Sequence, residues 1–267
     1  MSKLKVQRRP LCIFCEAPNK VSAEHVFPKW LKKLFPNGNS DKWIQSSWML
    51  PDGLRGNVPL NHATRERPGS ALDFRLRGAC EMCNNGWMSR LENECKRPLL
   101  ALMSGAPTKV SLDVQTSLAQ WATLKTMVYD GADGERGYTV AGADRKYFFE
   151  TRLIPPSWKI RIAQSADPHM GQCTLNKCFV RPSETEKASN TIVTQFILGE
   201  LTIIVIGSEV KWVQDLYLPI HLRAIVRQIH PADGFPFSWP PLRRLTQAES
   251  EGLLNWSRNV RFMGGAS

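Results

Sequence analysis

Two C-x-x-C pairs, Cys12/Cys15 and Cys80/Cys83, constrain this chain more than any other feature. Each pair bends the backbone so that two sulfurs face one point. Four thiolates from two such knuckles match the donor set of a tetrahedral structural zinc. Holding one ion between them would force segments 65 residues apart into contact. The plain alternative is four buried free cysteines. Cys95, Cys173 and Cys178 lack the spacing and read as buried thiols.

Between the knuckles stands Glu24-His25-Val26-Phe27-Pro28, at the end of a strand-like run from Ser22 to Val26. Neighbouring positions on a strand point to opposite sides, so a carboxylate and an imidazole project from one place. Asn84 follows the last knuckle cysteine and is a good helix-capping residue type. From Trp87 onward Leu91, Cys95, Leu99 and Leu100 keep roughly a helical period, which predicts a helix from about Asn84 to Met103 with Pro98 as a bend or break. Phosphodiester hydrolysis needs a base that takes a proton from water and a cation that stabilises the leaving oxyanion. Neutral His25 suits the first task. Glu24 and Asn84 offer oxygen donors for a hard divalent ion, Mg2+ or another. A structural role is the ordinary fate of a lone histidine; here the knuckles on both sides favour a site.

The set Cys12-x-x-Cys15, Glu24-His25-Val26-Phe27-Pro28 and Cys80-x-x-Cys83-Asn84 resembles the zinc-containing HNH endonucleases, whose core is a ββα-metal unit. The run Cys83-Asn84-Asn85-Gly86-Trp87-Met88-Ser89 is similar to a bacterial and phage-borne subgroup, for which mobile-element maintenance, restriction and phage defence are all compatible roles. The likeness covers about residues 10–100. It implies that Glu24 binds the catalytic ion, His25 activates water and Asn84 is a second metal ligand, with Asn85 as the alternative. The family often has an asparagine about five residues before the third cysteine; here Arg75 stands there. Asn61 or His62 is the candidate for the missing contact. Arg75 or Arg77 suits the scissile phosphate, since a guanidinium fork fits that geometry; a solvated strand face is the alternative.

Charge agrees with a DNA partner. Residues 1–100 hold 17 Lys/Arg against 9 Asp/Glu, so most of the net +11 lies in the first third. Lys29, Lys32 and Lys33 flank Trp30 on a short predicted helix from Pro28 to Phe35 and are the expected phosphate contacts. An ordinary amphipathic helix, with Trp30, Leu31 and Leu34 in the core, is the alternative. Residues 1–11 read as a basic arm without a secretory h-region, and no run approaches a membrane span. The expectation is a cytoplasmic protein without a membrane partner.

The expected fold is α+β: an N-terminal zinc-stapled ββα-metal (HNH) unit over residues 1–105, then an accessory α+β domain with an antiparallel sheet over 106–267. Residues 39–70 read as an insertion that includes a hairpin. Gln115–Tyr129 predicts a helix, and strands are expected at 137–141, 158–163, 191–198 and 201–207, with a hairpin turn at Gly199-Glu200. Thr246 with Glu249 is a capping-box pattern opening a helix toward Trp256. The expected function is metal-dependent DNA cleavage. The alternatives are a non-catalytic, zinc-ribbon-like nucleic-acid-binding protein, and an effector inert until its C-terminal domain meets another protein or a ligand; a protein partner or a homodimer through the C-terminal domain is expected.

Overall fold

The computed structural model describes residues 11–18, 21–34, 42–49, 61–68, 74–133, 139–166, 171–180, 189–209, 220–250 and 252–253. The basic arm up to Pro10, the Gly137-Tyr138 end of the expected strand and the Trp256 end of the last expected helix lie outside them. In chain order come β1 (Val21–His25), α1 (Lys29–Leu34), β2 (Lys42–Met49), β3 (Asn61–Pro68), β4 (Arg75–Cys80), α2 (Glu81–Cys83), α3 (Ser89–Met103) and β5 (Thr108–Val110). Then follow α4 (Leu112–Tyr129), α5 (Gly142–Thr151), β6 (Trp158–Gln164), β7 (Gly171–Val180), β8 (Ser189–Leu198), β9 (Leu201–Ser208), β10 (Arg227–His230) and β11 (Phe237–Trp239). The class is α+β, and every strand pairing among the described residues is antiparallel.

Helix α4 sits at the centre. Nearly every position from Leu118 to Tyr129 is buried, the apolar Leu118, Trp121, Leu124, Met127 and Val128 together with the polar Thr123, Lys125 and Thr126. Ser111 starts it by accepting the Val114 N–H at 3.4 Å. On one side Trp121 meets Phe196 of β8, with ring centroids 6.0 Å apart. On another, the fully buried Lys125 ammonium pairs with Glu92 of α3, and the Cys95 thiol donates to the Ser117 carbonyl at 3.0 Å.

The main sheet has five strands in the order β10-β6-β9-β8-β7. All eight residues of β9 are buried. Ile203 and Val205 belong to the apolar cluster shared with α4; Ile204 and Ile206 face a second cluster with Leu222, Ile225, Leu245 and Leu253. Burial on both faces explains why β9 reads as a nearly continuous apolar run instead of an alternation. The β8–β9 turn lies where the sequence predicts it, at Gly199-Glu200. Gly199 has φ +58°, and a Cβ there would stand 2.5 Å from the Met103 carbonyl oxygen, so both backbone and space demand glycine. The Glu200 N–H donates to that same carbonyl at 2.9 Å, docking the turn on the end of α3.

Residues 139–141 depart from the expected strand: they form a bend leading into α5. The Asp130 carboxylate captures the Thr139 and Val140 N–H groups at 3.0 and 2.8 Å, so these donors are not free for a ladder. The predicted capping box is present: the Glu249 carboxylate accepts the Thr246 N–H at 2.8 Å and the Thr246 hydroxyl accepts the Glu249 N–H at 3.2 Å. Among the described residues no helix is long and apolar enough to cross a membrane.

Candidate metal centre and adjoining strand pair

The first knuckle turns because Cys12 through Ala17 bond to themselves. The Cys12 N–H donates to the Ala17 carbonyl at 3.2 Å and the Glu16 N–H to the Cys12 carbonyl at 3.0 Å. Glu16 takes φ +54°, a left-handed conformation that glycine would adopt with less strain. The Ile13 N–H then donates to the Gly78 carbonyl at 3.0 Å, fastening the knuckle beside β4. β4 pairs with β1 and ends on Cys80, where α2 starts and carries Cys83.

The result is a cluster in which the sulfurs of Cys12, Cys15, Cys80 and Cys83 all lie within 4.8 Å of one another. Cys15 and Cys80 are 3.7 Å apart, sulfur to sulfur. That is far beyond a disulfide bond of about 2.05 Å. It is close to the edge of a tetrahedron with arms of 2.3 Å, about 3.8 Å. The Cys80 N–H donates to the Cys12 sulfur at 3.3 Å. Burial opposes ionisation of Cys80, but the Cys83 N–H and the neighbouring thiols outweigh it and bring the thiol down to about 7. Burial pushes the Cys83 thiol far up against the pull of the Trp87 indole. Four thiols this close ionise together only around a cation. Donor type, number and spacing all fit a structural metal such as zinc, held by these four residues.

The helix after Cys83 does not start as an ordinary α-helix. Asn84–Met88 form a π-helical turn in which the Ser89 N–H reaches back to the Asn84 carbonyl, and Gly86 (φ −90°, ψ −109°) marks a kink. Such turns are frequent at functional sites. Trp87 and Met88 are buried, Asn84 is half-buried and Asn85 is exposed. Pro98 is accommodated inside α3, which runs on to Met103.

On the paired strands, His25 stands opposite Arg75, Glu24 opposite Leu76 and Ala23 opposite Arg77. Cross-strand partners share a face, so His25, Arg75 and Arg77 lie on one side of the pair, and Glu24, in register with Leu76, belongs to the other. His25 is half-buried, with both ring nitrogens shielded from solvent, whereas both arginines are exposed. Lys29 and Lys33 are exposed on α1 and Lys32 is half-exposed. Leu31 is buried and Trp30 packs partly against the core beneath Lys96, whereas Leu34 points outward. Asn61 and His62 open β3, in register with Met49 and Trp48. Cys95 is a buried thiol raised to about 12 by burial, and Cys173 and Cys178 lie on β7.

Sequence reasoning missed the contribution of α5. Arg145 donates through Nε to the Ile13 carbonyl inside the first knuckle at 3.2 Å. Phe148 meets Trp87 edge-on at 5.7 Å, and Trp87 in turn meets Phe14 at 5.2 Å. Arg152 lays its guanidinium over the Trp87 ring at 4.2 Å. Burial lowers the Arg152 pKa while the nearby Cys83 sulfur raises it, so the cation stands beside a site that four thiolates and one Zn2+ would leave at a net charge of −2. It does so at φ +62°, where glycine is the usual residue at a helix end. Nothing local in the sequence links residues 145–152 to cysteines more than 60 positions away. No family model, curated protein or solved structure matches the chain.

Proposed function

We propose that this protein is a metal-dependent endonuclease of HNH type that hydrolyses DNA phosphodiester bonds. One observation carries the reading: the cysteine cluster ties together a strand ending on His25, its partner strand starting at Arg75, and a helix whose first π turn starts at Asn84. A strand pair followed by a helix, with this motif on it and an insertion between the strands, supports the ββα-metal reading. In this reading residues 1–105 carry the chemistry and 106–267 support it.

His25 takes the proton from the attacking water and is held in place by the β1–β4 ladder. Glu24 and Asn84 are the oxygen donors for the catalytic ion. When bound, a hard divalent ion there would neutralise charge building on the leaving oxygen. Arg75, on the same face as His25, holds the phosphate being attacked, with Arg77 two residues further along. Lys29, Lys32 and Lys33 contact flanking phosphates. The cysteine cluster takes no part in the reaction.

Nicking of supercoiled plasmid with Mg2+, Mn2+ or Ni2+ tests the reading. His25→Ala should cut the rate by about 10²–10⁴-fold, leaving zinc content and salt-dependent DNA binding at wild-type levels. Wild-type nicking by a folded, zinc-loaded His25→Ala protein would overturn the assignment, and His62 would be examined next. Arg75, standing where the family usually carries an amide, favours a second reading: a non-catalytic DNA-binding protein. Salt-sensitive binding without nicking in any of the three ions would support it.

A further inference from the structure

The segment between His25 and Arg75 leaves and returns at one rung of the β1–β4 pair. Its main feature is the β2–β3 ribbon, paired without a break from Lys42↔Pro68 to Met49↔Asn61 and lying against edge strand β7. By register, apolar residues stand on both faces, Trp43, Ala63 and Met49 on one and Ile44 and Trp48 on the other. The register sorts its residues unequally. Trp43, Gln45, Arg65, Arg67 and Asn61 share one face; Glu66, the one acid in the two strands, is on the other.

We infer that this ribbon is the element that reads DNA sequence for the nuclease, entering the major groove with its Gln45/Asn61/Arg65/Arg67 face. The inference rests on the proposed function above. Three physical points carry it. A two-stranded antiparallel ribbon is one of the shapes the major groove admits, and the groove offers a donor–acceptor pattern distinct for each base pair. Arginine pairs bidentately with guanine there, and glutamine or asparagine with adenine; the face holds two of each kind. Alternate residues on a strand lie about 7 Å apart, and base pairs stack about 3.4 Å apart, so Arg65 and Arg67 match bases two steps apart. The face also has no carboxylate to repel phosphates. A ribbon of two strands is marginally stable alone, so a duplex lying along it would also order it.

The test is selection of bound sequences from a randomised duplex library by the full-length, zinc-loaded protein, alongside hydrogen exchange of the ribbon with and without DNA. Wild type should enrich a defined motif, and backbone protection over 42–49 and 61–68 should rise on binding. Arg65→Ala with Arg67→Ala should keep zinc and non-specific, salt-dependent binding but lose or change the enriched bases; Gln45→Ala with Asn61→Ala, a milder pair, should change different positions of the motif. A wild-type motif that both double variants enrich unchanged would overturn the ribbon's role while sparing the DNA reading. Binding with no enriched motif would also overturn it. No DNA binding by wild type at low salt would remove both.

Discussion

In β9 all eight residues are buried, whereas from Leu11 to Pro18 of the first knuckle only Cys12 and Phe14 are. The sheet has apolar clusters on both faces and needs nothing else to order it. The knuckle is short and partly strained at Glu16, and of its residues Cys12 and Phe14 are buried. Two means of closing a fold therefore meet in one chain: apolar area, contributing roughly 25 cal/mol per Å2, and a four-cysteine cluster that fits a metal, whose binding free energy would be folding free energy. They are not isolated from each other. One apolar cluster runs from Phe14 through Trp87 and Trp121 to Phe196, and α5 reaches from the sheet side to Trp87 and Ile13. The difference lies in what each region loses first.

Removing the metal is the largest perturbation. Zinc-finger peptides gain roughly 10–16 kcal/mol from structural zinc. Cys80→Ser should abolish stoichiometric zinc and strip hydrogen-exchange protection from β1, β4 and the first knuckle, while β8 and β9 keep theirs. Equal loss in the sheet would mean that the whole chain depends on the metal; elemental analysis of wild type showing no zinc would remove the staple altogether.

The converse perturbation is smaller. Ile206 is buried on the sheet face away from α4, and Ile206→Ala should destabilise by about 2–5 kcal/mol, seen as a lower melting temperature at unchanged zinc content. Zinc lost in step with melting would show that the sheet sets the knuckle.

The smallest effect lies farthest from the cysteines. Thr246→Ala should cost about 1 kcal/mol by removing the hydroxyl half of the capping box. Its carboxylate half gives a pH signature. A hydrogen bond from Arg243 holds Glu249 down from 4.5 to about 2. A depressed carboxylate stabilises the fold above its unfolded pKa and loses that contribution as pH falls through the folded one. Acid titration should therefore show a loss between about pH 4.5 and 2 that Glu249→Gln flattens.

The features legible in the sequence are those whose cause is local. C-x-x-C spacing names ligands without reference to the fold, and the four cysteines do cluster. The β8–β9 turn, the α4 run and the capping box all follow from a few adjacent residues. Helix α5 was not legible: Ala141 offers no side-chain cap, and the helix is anchored by contacts to residues far away in sequence. Thr139 and Val140 have strand-like side chains, but Asp130 takes their N–H groups. β7 carries Gln172, Asn176 and Lys177 among its apolar residues and is ordered by its ten-rung register with β8. At the candidate site, residue identities could be read; the rung that sets Arg75 opposite His25 depends on a pairing across an insertion no local pattern encodes.

The long gap between the knuckles also orders events at the ribosome. Cys15 precedes Cys80 by 65 residues; at about 5–20 residues per second the first two thiols wait roughly 3–13 s for their partners. Through that interval β4 is incomplete and no strand of the main sheet has been made, so the nascent knuckle has no fold to shelter in. Its thiols compete for zinc, oxidants and other metals as a bare bidentate ligand. A metal site closed this late makes folding depend on metal supply and reducing power during translation.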